Sequence, residues 1–139
     1  MPVKKKILIV DDSPVNLILL DSILSRVGYN VIQATNGEDA IQIARKEHPD
    51  LIILDIVMPG IDGLEAASRL KDQSATRTIP IIFVSSLVKK HSSMLKKMMP
   101  GHAFLPKPFK KQALLKEIRE HLENPGPSKA GEDFCPKIG

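Results

Sequence analysis

The chain has 139 residues, of which 42% are hydrophobic and 26% charged, the usage of one ordinary globular domain built around a single core. Its one cysteine, Cys135, excludes an intramolecular disulfide and suits a reducing compartment. A net charge of +4 with only 4% aromatic residues and no DNA-binding motif fits a mildly basic solvated surface better than a nucleic-acid platform.

Lys4, Lys5 and Lys6 lead into Ile7-Leu8-Ile9-Val10, a short, branched, continuous apolar run expected of a strand buried on both faces. Asp11 and Asp12 stop that run, so it is too short for a signal-peptide core. The other apolar stretches, such as Leu51 to Leu54, are far too short to span a bilayer, and the chain is expected to be soluble and cytoplasmic. Asp12 or Ser13 caps a first helix with Pro14 in its first turn. Leu20, Ile23, Leu24 and Val27 recur along it at helical spacing, and Gly28 ends it. Val31 to Ala34 reads as a weaker second strand. Asn36-Gly37 is taken as a turn, and Ala40, Ile41 and Ala44 mark one face of a second helix.

Leu51 to Ile56 is the strongest strand signal, and a loop with Pro59, Gly60 and Gly63 follows it. Leu64, Ala67 and Leu70 give a third helix, with Asp62 as its capping or loop residue. Ile79 to Val84 is the fourth strand. Met94, Leu95, Met98 and Met99 supply the packing face of a fourth helix, on which Lys89, Lys90, Lys96 and Lys97 form a solvated face. Ala103 to Leu105 is a short fifth strand, and Leu114, Leu115, Ile118 and Leu122 form the buried stripe of the last helix. Residues 1–123 thus read as one domain. Residues 124–139, with Pro125, Gly126, Pro127 and Gly131, read as a flexible tail or the start of a linker.

Strands alternating with helices imply right-handed βαβ units and a five-stranded parallel sheet covered on both faces by five helices; the fold class expected is α/β, doubly wound, with the flavodoxin-like order 2-1-3-4-5. In such a sheet ligands bind at the carboxyl ends of the strands. Those ends carry Asp11 and Asp12, Asp55, Ser85 and Ser86, and Lys107. The order makes strands one and three neighbours, so three carboxylates converge and call for a neutralising cation. A hard divalent ion with oxygen ligands, Mg²⁺, suits them. Carboxylates, a serine and a lysine together suit phosphoryl transfer, with a carboxylate as nucleophile; no histidine or cysteine is placed to be one.

With these residues in hand, the chain resembles the receiver domain of response regulators in two-component signalling, chemotaxis-regulator-like. The resemblance covers roughly residues 4–123. It is carried by Ile7-Leu8-Ile9-Val10-Asp11-Asp12, by Asp55 through Gly63 (Asp-Ile-Val-Met-Pro-Gly-Ile-Asp-Gly), by Val84-Ser85-Ser86 and by Lys107-Pro108-Phe109. Asp55 lies 43 residues after Asp12, Ser85 30 after Asp55, and Lys107 22 after Ser85, spacings that also match.

The resemblance implies a role for each of these residues. Asp55 is the phosphoacceptor. Asp12 binds Mg²⁺ directly, Asp11 mainly through water, and the Val57 backbone carbonyl adds a ligand. Ser85 and Lys107 hold phosphoryl oxygens. Phe104 occupies the aromatic switch position, and the Lys107-Pro108 bond is expected to be cis. Switching reshapes helix four, strand five and helix five. The implied partners are a sensor histidine kinase or histidine phosphotransfer protein and a downstream protein, with a phosphorylation-dependent homodimer among the assemblies; neither nucleic acid nor membrane is implied. The chain is expected to be a signalling switch rather than an enzyme on an external substrate. Ser85 stands where threonine is frequent and Ser86 where alanine is frequent; both preserve the chemistry or the space. Val57 and Leu87, both apolar, occupy positions that tune the hydrolytic water, which implies slow dephosphorylation. His91 and His102 carry no assigned role. The competing readings are a phosphorylation-independent pseudo-receiver and a flavodoxin-like cofactor binder.

Overall fold

A computed structural model describes residues 4–123. Five strands, β1 (Lys6–Val10), β2 (Asn30–Ala34), β3 (Leu51–Leu54), β4 (Ile81–Ser85) and β5 (Ala103–Pro106), alternate with five helices. The helices are α1 (Pro14–Val27), α2 (Gly37–Glu47), α3 (Gly63–Lys71), α4 (Val88–Met98) and α5 (Lys111–Glu123). The strands form one parallel sheet in the order β2-β1-β3-β4-β5, the order expected from the sequence. The expected tail and Cys135 lie outside the described residues.

The burial of each strand follows its place in the sheet. β1 and β3 are central, and Ile7, Leu8, Ile9 and Leu51–Leu54 are at most 1% exposed. Such burial stabilises each side chain by about 1.5–3 kcal/mol relative to exposure. β2 and β5 form the edges and are only partly buried, which explains why their sequence signals are weaker. One core lies between the sheet and α2, α3 and α4; the other lies between the sheet and α1 and α5.

The helix starts are set by side chains. Ser13, Asn36 and Asp62 each accept a hydrogen bond from the amide three residues on, the N-cap arrangement worth about 1 kcal/mol. Asn36-Gly37 is therefore the entry to α2 rather than a separate turn. At the far end of α1, Gly28 takes φ +107°, where a glycine is at ease, and its amide reaches the carbonyls of Leu24 and Ser25. The fourth strand begins at Ile81, two residues later than expected, because Ile79 and Pro80 close the preceding loop with Ile79 N bonded to the Thr76 carbonyl.

Two core assignments change. Val27 is half exposed, since Leu17, Leu20 and Leu24 carry the buried stripe of α1. On α4 the inward stripe is Val88 and Leu95, two turns apart, so Met94 and Met98 point outward at 59% and 55% exposure. Met99 remains half buried, and the helix kinks at His91.

His102, without an expected role, packs its ring 5.6 Å from that of Phe83. Burial, together with the nearby Lys71 charge, holds its pKa below the ordinary 6.5. The unfolded chain therefore takes up a proton near pH 6.5 that the folded chain refuses until lower pH. Stability from this group is full above 6.5 and is lost as pH falls toward the depressed folded value. The free energy of unfolding in urea should fall less from about pH 7.5 to about pH 5 in His102→Phe than in the parent chain. Equal slopes would show that His102 does not carry the effect.

Candidate functional site: an acidic pocket at the carboxyl ends of the strands

Backbone pairing continues past the strands and aligns the site. Asp11 N donates to the Ala34 carbonyl at 3.2 Å, and Asp55 N to the Val10 carbonyl at 3.0 Å. Asp11 and Asp55 are thereby fixed on neighbouring strand ends. Lys107 N likewise donates to the Ser85 carbonyl at 3.1 Å, which seats Lys107 beside the end of β4.

The side chains converge. Lys107 Nζ lies 2.6 Å from Asp11 Oδ2 and 2.8 Å from Asp55 Oδ2, bridging the two carboxylates. Asp11 and Asp55 are 2% and 7% exposed, whereas Asp12 is exposed at the rim. Carboxylate oxygens of Asp11, Asp12 and Asp55 lie within 4.8 Å of one another. Desolvation of the half-buried Lys107 ammonium pulls its pKa down, but its hydrogen bonds to Asp11 and Asp55, and their charges, outweigh that. The net result is a pKa above the ordinary 10.5. Lys107 is thus a fixed cation at neutral pH.

Further hydrogen bonds hold the carboxylates in place. Asp11 Oδ1 accepts from Ser13 N at 2.9 Å and Oδ2 from Asn16 Nδ2 at 3.2 Å, while Asp55 Oδ1 accepts from Val57 N at 3.2 Å. Ser85 is fully buried, and its Oγ accepts from Leu87 N at 3.2 Å, which leaves its hydroxyl proton free to donate. The Val57 side chain is 55% exposed, and Leu87 is half buried. The Lys107–Pro108 peptide is cis. Phe104 is half buried, its ring stacked 5.0 Å from that of Phe83 on β4.

The sequence reading missed three contributors. Asn16 orients Asp11, but an asparagine near a helix start is too common to stand out. Phe83 is the platform for both Phe104 and His102, hidden in an apolar strand whose register sets Phe83 opposite Phe104. Gly63 is expected from the sequence as a loop former and as the end of the Asp55-to-Gly63 motif, with no packing role. A Cβ there would collide with the Asp55 carbonyl oxygen and meet Ile56 Cα at 2.7 Å, so the glycine lets α3 press its first amide onto the acceptor segment. Gly63 N donates to the Ile56 carbonyl at 2.7 Å.

The model of the response regulator receiver domain matches residues 7–119. The chain belongs to this family. It is 38% identical over 117 residues to the protein PilH of Pseudomonas aeruginosa, a match covering 84% of this chain and 97% of PilH. Among solved structures, a putative response regulator from Chloroflexus aurantiacus superposes with a TM-score of 0.81 at 30% identity, over 88% of this chain and 100% of that one. The receiver domain of the sensor histidine kinase PA1611 of Pseudomonas aeruginosa, with magnesium coordinated in its active-site cleft, gives 0.80 at 26% identity over 88% and 100%. The receiver fold and the two-component context expected from the sequence are thus established for this chain. No helix among the described residues is long and apolar enough to cross a membrane.

Proposed function

We propose that this receiver domain accepts a phosphoryl group on Asp55 from the phosphohistidine of a sensor kinase or phosphotransfer protein. The observation that carries this is the bridging of Asp11 and Asp55 by Lys107, with Ser85 at the adjoining strand end. A binding surface has no need of three converging carboxylates and a buried-side cation. An Asp55 carboxylate oxygen attacks phosphorus as the N–P bond breaks, the electron pair leaves with the donor imidazole, and an acyl phosphate forms. Lys107 then moves from carboxylate to phosphoryl oxygen, and the Ser85 hydroxyl donates to another.

The donor set fits Mg²⁺. Asp11, Asp12 and Asp55 offer only hard oxygens within one ion's reach, and Asp12 stands open to solvent; these carboxylates and the Val57 carbonyl would hold the ion. Bound there, the ion offsets negative charge on the phosphoryl oxygens. The functional unit is residues 1–123, acting in the cytoplasm as a switch rather than on an external substrate. The switching path runs from Ser85 along the β4–β5 pairing to Phe104, and hence to the surface of α4, β5 and α5.

Beryllofluoride with Mg²⁺, a phosphoryl mimic, tests this by backbone amide NMR. Shifts are expected at Ser85 to Leu87, Phe104 and Lys107 in the parent chain and not in Asp55→Ala. Shifts absent from β4 and β5 would favour the pseudo-receiver reading.

A further inference from the structure

The rings of His102, Phe83 and Phe104 pack as one unit. Phe83 is fully buried, and both of its aromatic neighbours come from the edge of the sheet. Phe104 stacks on it at 5.0 Å and an interplanar angle of 13°; His102 leans against it at 5.6 Å and 52°. His102 immediately precedes β5 and projects from the same face as Phe104, two residues on, while Ser85 shares a face of β4 with Phe83. A column of side chains therefore runs from Ser85, in the acidic pocket, to His102 at the opposite, amino-terminal end of the strands.

We propose that His102 is a proton sensor for the switch: protonation of its ring and occupancy of Asp55 favour one another through the Phe83–Phe104 stack. This goes beyond, and rests on, the reading of Asp55 as phosphoacceptor and of Ser85 and Phe104 as the switching path. When the Ser85 hydroxyl turns to a phosphoryl oxygen, room opens on that face of β4, and the half-buried Phe104 ring moves into it. Phe83 then loses its stacking partner. A wholly buried ring does not keep a void beside it, so Phe83 follows Phe104 and its contact with His102 loosens. Water reaches the imidazole, and the cost of charging it falls.

The surroundings of His102 offer a positive ring no counter-charge. Lys71 at the end of α3 acts on it as a like charge, as does His121 of α5, which has its own partner in Glu117. β4 and β5 carry no charged residue, and the α4 lysines are exposed. The loop after α4 supplies only the backbone carbonyls of Met99 and Pro100. His102 Nδ1 lies 3.3 Å from the Pro100 carbonyl oxygen, a contact it makes only as donor, so an incoming proton adds at Nε2. In the packed state, burial and Lys71 hold the ring below its ordinary pKa of 6.5, and loosening lets it rise toward that value. The switched state therefore takes up the proton more readily. By linkage, acid shifts the equilibrium toward that state as pH falls below 6.5.

The test follows the His102 and Phe104 ring signals of the full chain by NMR from about pH 8 to about pH 5, free and with Mg²⁺ and beryllofluoride. His102→Phe keeps a packed ring that does not titrate, and His121→Gln removes the neighbouring imidazole. In the free chain the Phe104 ring is expected to move with the His102 midpoint, in the parent and His121→Gln but not in His102→Phe. Beryllofluoride is expected to raise that midpoint by about 0.5 pH, equivalent to about threefold tighter beryllofluoride binding by the protonated chain. A merely structural ring would leave the midpoint where it is. A midpoint unchanged or lowered while beryllofluoride shifts the Ser85 to Leu87 amides overturns the proposal, as does a Phe104 ring that ignores pH in the free chain. If beryllofluoride shifts no signal at all, the phosphoacceptor reading fails, and the free-chain titration decides the ring coupling by itself: Phe104 moving with His102 sustains it, and a stationary Phe104 overturns it.

Discussion

Lys107→Met should slow labelling of the protein by acetyl phosphate by about a hundredfold while removing about 2–4 kcal/mol of folding stability. Both effects have one origin. Lys107 Nζ is 2.6 Å from Asp11 and 2.8 Å from Asp55, and those carboxylates are almost wholly buried. Methionine keeps the length of the side chain and removes only its charge and hydrogen bonds, leaving two buried anions to face each other. In the reaction the same ammonium is a preplaced counter-charge for the phosphoryl oxygens, and loss of one such group costs on that order. Saturating Mg²⁺ should shrink the stability gap, because it replaces the missing charge, but should leave much of the rate defect. The stability gap should also be constant from about pH 7 to about pH 9. The pKa of Lys107 is raised above 10.5, so its contribution is complete below 10.5 and is lost only as pH climbs through the higher folded value. Urea denaturation at several pH values and single-turnover labelling give the two readouts. A variant as stable as the parent, or one that labels normally, would show that the bridge is incidental.

Gly63→Ala should lower stability by about 3 kcal/mol, a fall in Tm of roughly 10 °C, and should also impair labelling. This glycine sits at the start of α3, far in sequence from β1 and β5, and carries no chemistry. Its Cα hydrogen fills the space where a methyl group would strike the Asp55 carbonyl oxygen, with Ile56 Cα only 2.7 Å away. The obstacle is backbone on both counts, so no rotamer change relieves it; either α3 shifts outward or the acceptor segment moves. Movement of that segment drags Asp55 away from Lys107, which joins the folding defect to the functional one. Thermal unfolding by circular dichroism and labelling under native conditions check both effects. A fall in stability with normal labelling would mean that α3, and not the acceptor segment, yields.

The sequence reveals the site because its chemistry sits at strand ends, where a short apolar run breaks into polar residues. Asp11, Asp55, Ser85 and Lys107 each end such a run, and a parallel sheet brings those ends to one edge. The order β2-β1-β3-β4-β5 is what makes β1 and β3 neighbours. Where the reading slips, local pattern is outvoted by three-dimensional packing. Four apolar residues in α4 cannot all face inward when Val88 and Leu95 already define the stripe, so Met94 and Met98 turn to solvent. Asn16 and Phe83 could not be distinguished because a helix-start amide and a strand phenylalanine serve ordinary purposes in most folds. Gly63 needs the distance between α3 and β3, which no linear pattern contains.

The central claim, that Asp55 is the phosphoacceptor, is tested most directly by intact mass after incubation with acetyl phosphate. One phosphoryl group should be added to the parent chain with Mg²⁺, none after chelation of Mg²⁺, and none to Asp55→Asn. Incorporation into Asp55→Asn equal to that of the parent, or no incorporation into the parent from either acetyl phosphate or a phosphohistidine protein, would contradict the claim.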